Sequence, residues 1–243
     1  MSPQRTPDGP PPPPAVQKLR IQYARRGRLR YSSTRDFGRA LERALRRSGV
    51  PMAYSAGFHP HPKISYANGA ATGAASEAEY FEISVTERVD PDALATALDA
   101  ALPDGLDIVS VVEAQPGALA DRLQASRWLL EFPGVELADL DRAVEGFLAQ
   151  ERVEVSRMFK KGMKSYDARE PVIRAQTGLS DEGCAILTMV VRHTTPAVRP
   201  DDVLSAITAA TSFAPTRSPK ATRLAQGIWS SETESVADPL ATD

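Results

Sequence analysis

"QKLRIQYARRGRLRYSSTRDFGRALERALRRSG", Gln17 to Gly49, carries two periodicities in succession. Leu19, Ile21 and Tyr23 alternate with polar residues, the period of a half-buried strand, and Leu29 and Tyr31 resume it after Gly27. The stretch predicts one strand, or two short strands about a glycine turn, with Arg28 and Arg30 on one strand face. The period then changes. Phe37, Ala40, Leu41, Ala44 and Leu45 recur at helical spacing; Ser33 or Thr34 can cap the start, Asp36 lies in the first turn and Gly49 can end it.

Working outward, "VPMAYS" (Val50–Ser55) and "EYFEISVTE" (Glu79–Glu87) predict strands on either side of a His-Pro segment. "DPDALATALDAAL" is a helix with Asp90 as N-cap and Pro91 at its first position, and "LDIVSVVEA" (Leu106–Ala114) is a closing strand. That order, β-α-β-β-α-β, predicts a ferredoxin-like half with helices on one face of an antiparallel sheet.

A fainter second copy follows. "SRWLLEFPG" predicts a strand and "LADLDRAVEGFLAQ" a helix. "RVEVSRMF" and "CAILTMVVRHT" predict strands around a loop "KKGMKSYDAREPV", then "RPDDVLSAITAA" a helix and "TRLAQGIW" a weak last strand. The expected fold is α+β: tandem ferredoxin-like halves at 16–114 and 127–228, joined by a partly helical linker at 115–126. The Pro-rich N-terminus (1–15) and the acidic C-terminal tail (229–243) are expected to be disordered.

Composition narrows the function. A 243-residue chain with 42% hydrophobic and 25% charged residues is globular. It has no membrane-length apolar run and no signal-peptide pattern, so a cytoplasmic protein without membrane contact is expected. The lone Cys184 excludes an internal disulfide and an all-cysteine metal cluster. The net charge of −2 conceals segregation: residues 1–65 hold thirteen Lys/Arg against three Asp/Glu. A basic block beside an acidic remainder points to an anionic partner, against the plainer reading of a solvated helix face.

The cations cluster in three places. Arg39, Arg43, Arg46 and Arg47 lie opposite the apolar face of the first predicted helix, with Arg28 and Arg30 just before it. The second cluster is "YSAGFHPHPKISYANG" (Tyr54–Gly69), where prolines hold an extended backbone and His59 and His61, two apart, share a face beside Lys63. Two histidines fall short of a metal site, and no nucleophile motif accompanies them; a rigid connection offering His61 and Lys63 to an anion or nucleobase remains. The third is Lys160, Lys161, Lys164 and Arg169 around Gly162 and Tyr166, at the equivalent place in the second half. Both loops are expected to connect the middle strands of their sheets and to converge on one groove. The alternative for the third is a lysine-rich hairpin serving solubility.

Phosphate-loop, dinucleotide and H-E-x-x-H motifs are absent, as is the RNP1 pattern. No cofactor is expected in this chain, and no catalytic residue is assignable. The first expectation is an RNA-binding protein in which Arg28, Arg30, Arg43, Arg46, Lys63, Lys160, Lys161, Lys164 and Arg169 contact phosphates, and His61 a base or phosphate edge. A small-molecule enzyme built on the His-Pro loop is a further class.

The runs "RALERALRRSGVPMAYSAGFHPHPKISYANG", "GAASEAEYFEI" and "KKGMKSYDAREPV" resemble the radical SAM-associated domain of unknown function, which occurs alone in bacteria and fused C-terminal to B12-binding radical SAM proteins. The motif positions of that family fall on Tyr54, Ser55, Gly57, Phe58, Pro60, His61, Pro62, Lys63 and Ser65. The resemblance implies a place in RNA metabolism, beside a ribonuclease of the E/G type, or an adaptor role towards a separate radical SAM enzyme. The chain itself lacks both the C-x-x-x-C-x-x-C and the D-x-H-x-x-G motifs.

Overall fold

The computed structural model describes residues 12–160 and 162–241. Most of the Pro-rich tail, Lys161 and the last two residues lie outside them. The chain is α+β and divides into two compact units, residues 12–72 with 78–117, and residues 73–77 with 118–241. No helix among the described residues is long and apolar enough to cross a membrane.

The first unit runs β1 (Gln17–Arg25), α1 (Thr34–Arg47), β2 (Ile64–Ala67), β3 (Ala75–Val85), α2 (Pro91–Ala101) and β4 (Leu106–Glu113). Its strands lie in the order β4-β1-β3-β2, with β1–β4 and β2–β3 antiparallel. The alternation of β1 sends Leu19, Ile21 and Tyr23 into a core with Phe37, Leu41 and Leu45 of α1, Phe81 and Ile83 of β3, and Leu94 and Leu98 of α2. Each such side chain contributes roughly 1.5–3 kcal/mol by leaving water. At its centre the Tyr23 and Phe37 rings stack with centroids 4.2 Å apart.

Two expectations for this unit are overturned. The chain after β1 is not a strand: Gly27, at φ 53°, turns it into a 3-10 segment, Gly27–Tyr31, so Arg28 and Arg30 do not share a strand face. Nor is Val50–Ser55 a strand. It makes single bridges, Met52 to Val85 and Tyr54 to Pro62, and the strand that pairs with β3 is the later Ile64–Ala67. Pro60 and Pro62 lack amide donors, so a regular ladder begins only beyond them.

The second unit runs β5 (Ala125–Phe132), α3 (Leu137–Leu148), β6 (Glu154–Phe159), β7 (Gly162–Asp167), β8 (Val172–Leu179), β9 (Ala185–Arg192), α4 (Pro200–Thr211), β10 (Lys220–Ser230) and β11 (Ser235–Ala237). Its main sheet has the order β10-β5-β9-β8, with β11 on β10. Ala75 and Ser76, which group with this unit, pair in parallel with Thr222 and Arg223 of β10. A separate ribbon, β6–β7, stands between α3 and β8 in the chain.

Here too the expectations need correcting. The predicted loop Lys160–Val172 contains β7, and β8 is an additional strand. The weak last strand is eleven residues long and paired with β5, β11 and residues 75–76. The start of the acidic tail is ordered as β11, and Leu240 is buried. Gly227 makes this possible, because a Cβ there would collide with the Ala237 carbonyl oxygen. The expected linker forms a 3-10 turn, Leu119–Arg122, whose Leu119 is buried.

Candidate nucleic-acid interface

Helix α1 is fixed from both sides of its sequence pattern. The Ser33 hydroxyl accepts from the Asp36 amide at 3.2 Å and donates to the Asp36 carboxylate at 2.7 Å. That hydrogen bond, with Arg39 and Arg35 nearby, holds the Asp36 carboxyl below its usual range. Phe37, Leu41, Ala44 and Leu45 bury one face. At 3.6 residues per turn, Arg35, Arg39, Arg43 and Arg46 then fall within an arc of roughly 80° on the opposite side. All four are exposed, and none forms an ion pair or hydrogen bond among the described residues. Arg47 is different: it donates to the Ala101 carbonyl at the end of α2.

Before the helix, Arg26 pairs with Asp107 at 2.8 Å, and Arg30 lies over the Tyr31 ring and donates to its hydroxyl. Arg28 is exposed and, among the described residues, without a side-chain partner.

The His-Pro segment is a closed loop rather than an extended connection. Tyr54 faces Pro62, the Ser55 amide donates to the His61 carbonyl at 2.9 Å, and the His61 amide donates to the Ser55 hydroxyl at 3.0 Å. Lys63 N–H donates to Ala53 C=O at 2.8 Å. Residues 56–59 bend at the tip, with Gly57 at φ 130°, so His59 and His61 do not lie along one strand face. No group of three or more His, Cys, Asp or Glu side chains able to hold a metal occurs among the described residues.

Strand alternation sorts the loop's side chains. Met52 and Ile64 pack on the core beneath α1, and Tyr66 reaches Phe37 at 5.9 Å and the α1 backbone at Gly38. Tyr54 and Pro62, in step with them, lie on that helix side, whereas His61, Lys63 and Ser65 point to the other. The arginine ridge and Lys63 therefore occupy opposite faces of the first unit's sheet. Burial, followed by the nearby Glu42 charge, pushes the Tyr66 hydroxyl up.

In the second unit, Lys160 is exposed at the tip of the β6–β7 ribbon, and Lys164 lies 5.6 Å from the Phe159 ring. Arg157 anchors the ribbon: it pairs with Asp202 of α4, donates to the Ala197 carbonyl at 3.0 Å and covers the rings of Phe159 and Tyr166. Burial and then the Asp202 carboxylate push Tyr166 up to about 12. Arg169 is spent inside the fold, donating to the carbonyls of Val172 and Leu148 above the Phe147 ring. The ribbon and the His-Pro loop both lie between the first helix of a unit and its next long strand, not between the middle strands as expected.

Sequence reasoning passed over Arg35, which completes the ridge and was detectable from its i,i+4 spacing to Arg39. It also missed Arg157, whose partner is 45 residues away. A serine–histidine contact escaped it as well. His193 Nδ1 donates to the Leu123 carbonyl at 2.7 Å and Nε2 accepts from Ser126 Oγ at 2.7 Å. Ser126 is 2% exposed, so the pair ties strand ends together rather than meeting a substrate.

Residues 18–200 match a family described as "Uncharacterized protein conserved in bacteria (DUF2344)". The chain belongs to this family. The match takes in the arginine ridge, the His-Pro loop and the β6–β7 ribbon. No curated protein matches the chain. Among solved structures, DyPB from Rhodococcus jostii RHA1 is similar at 12% identity over 88% of this chain and 92% of that one, with a TM-score of 0.22. At that score the likeness assigns neither fold nor activity.

Proposed function

We propose that this member of the DUF2344 family is an RNA-binding accessory protein built of two ferredoxin-like βαββαβ halves. The strand orders β4-β1-β3-β2 and β10-β5-β9-β8, each with two helices, support the architectural part of this reading, with the β6–β7 ribbon as an insertion in the second half. The functional part rests on one observation: Arg35, Arg39, Arg43 and Arg46 form a solvent-facing ridge that makes no ion pair or hydrogen bond among the described residues, with the Asp36 carboxylate near Arg35 and Arg39. A guanidinium ridge left open by its own fold suits phosphates, which arginine binds bidentately.

Fluorescence anisotropy with a labelled 20-nucleotide RNA between 50 and 200 mM salt tests it. Four phosphate contacts give a log–log slope of about −2.8 on a single strand, roughly a fifty-fold loss of affinity across that range. Arg39→Ala with Arg43→Ala should reduce the slope by about 1.4. Binding that is undetectable or indifferent to salt overturns the proposal.

A further inference from the structure

Four aromatic side chains are exposed among the described residues, and all fall between positions 31 and 66: Tyr31, Tyr54, Phe58 and Tyr66. Every aromatic ring of the second unit is at least half-buried. An exposed ring loses the stabilisation that burial would give it, so this concentration needs a reason. Phe58 is 62% exposed at the tip of a loop closed by Ser55 and His61, and makes no ring contact among the described residues. Tyr54 (40%) and Tyr66 (42%) lie on the α1 side of the sheet edge, the side that also carries the arginine ridge.

We infer that the nucleic acid held by this surface is single-stranded, with unpaired bases stacking on Tyr54, Phe58 and Tyr66 while the α1 arginines take the backbone. The inference rests on the RNA-binding reading above and adds the class of ligand. In a duplex the base faces are already stacked on one another, so rings of this kind would find no partner. Spacing argues the same way. Tyr54 is bridged to Pro62, and Tyr66 lies four residues further on, in β2, so the two rings stand at separate positions along the sheet edge. Rings at separate positions would engage bases splayed away from each other. Arginine ridge and aromatic edge together make the pairing of charge and stacking platform that single-strand binders use.

Three 20-nucleotide probes separate the possibilities by anisotropy at fixed salt: oligo(A), an abasic strand of the same length, and a 20-base-pair RNA duplex. Oligo(A) should bind at least ten-fold more tightly than either of the others. Phe58→Ala and Tyr54→Ala should each weaken oligo(A) binding about five-fold or more and leave the abasic strand unaffected. Phe58→Trp, which keeps a stacking face, should bind as the unaltered protein does. Arg39→Ala should weaken all three probes. If the abasic strand or the duplex binds as tightly as oligo(A), or the aromatic variants lose nothing, the single-strand inference falls while RNA binding stands. If no probe binds, the RNA-binding reading falls and takes the inference with it.

Discussion

Asp202 of α4 holds the Arg199 amide and the Arg157 guanidinium at once, and replacing it with alanine should release the β6–β7 ribbon. Its carboxylate accepts from the Arg199 amide at 2.8 Å, pairs with Arg157 and faces the Tyr166 hydroxyl. Loss of the amide acceptor at the helix start costs about 1 kcal/mol. Removing one partner of a fully buried ion pair costs about 3–5 kcal/mol, because the other charge stays desolvated. Arg157 retains 19% exposure of its side chain and a second acceptor in the Ala197 carbonyl, which lowers that figure to about 2 kcal/mol. The total is about 3 kcal/mol for Asp202→Ala. Asp202→Asn, which keeps an oxygen for the amide, should cost about 2 kcal/mol. Urea denaturation measures the loss, and hydrogen exchange across residues 154–167 should rise in the alanine variant. A loss below about 1 kcal/mol, with ribbon protection unchanged, would show that the ribbon is held by its own ladder and refute the reasoning.

Two further outcomes follow from buried polar geometry and close backbone approach. Burial lowers the His193 pKa from 6.5, so on acidification the unfolded chain takes up the proton first. Stability should therefore be full above about pH 6.5 and fall below it; His193→Gln should flatten this slope in pH-dependent melts, and an unaltered slope would assign it to other groups. Gly227→Ala should detach β11, since its Cβ would meet the Ala237 carbonyl, and limited proteolysis should then cut within residues 231–241; unchanged resistance would contradict the packing described.

The elements most readable in the sequence are those determined by local periodicity. The four α-helices among the described residues lie where spacing, and for α1 and α2 also capping, places them, because i,i+4 contacts and capping bonds act within a few residues. The apolar alternation of β1, β5 and β9 is equally direct. β10 is obscured by Arg223 and Gln226, polar residues that are nonetheless buried. β8 is obscured because its alternation is shallow, with one buried residue among half-buried and exposed ones, as suits a strand paired on one side. β2 is hidden by the two prolines before it, which made the His-Pro segment read as the connection and Val50–Ser55 as the strand.

For the site, the sequence alone determined that α1 has an arginine face, since residue spacing on a helix sets direction whatever surrounds it. It also marked the His-Pro loop as unusual. Only the tertiary structure decided which cations remain open to a ligand. Arg47 and Arg157 are taken by a carbonyl and a carboxylate 54 and 45 residues along the chain, and Arg169 by carbonyls of Val172 and Leu148, while the α1 ridge makes no ion pair or hydrogen bond among the described residues. It likewise decided that Lys63 lies across the sheet from that ridge and that Tyr54 and Tyr66 lie on the ridge's side. The reason is physical. A charge in a sequence is only a capacity to bind, and whether it is already satisfied depends on which distant backbone and side-chain groups the fold brings within hydrogen-bond reach.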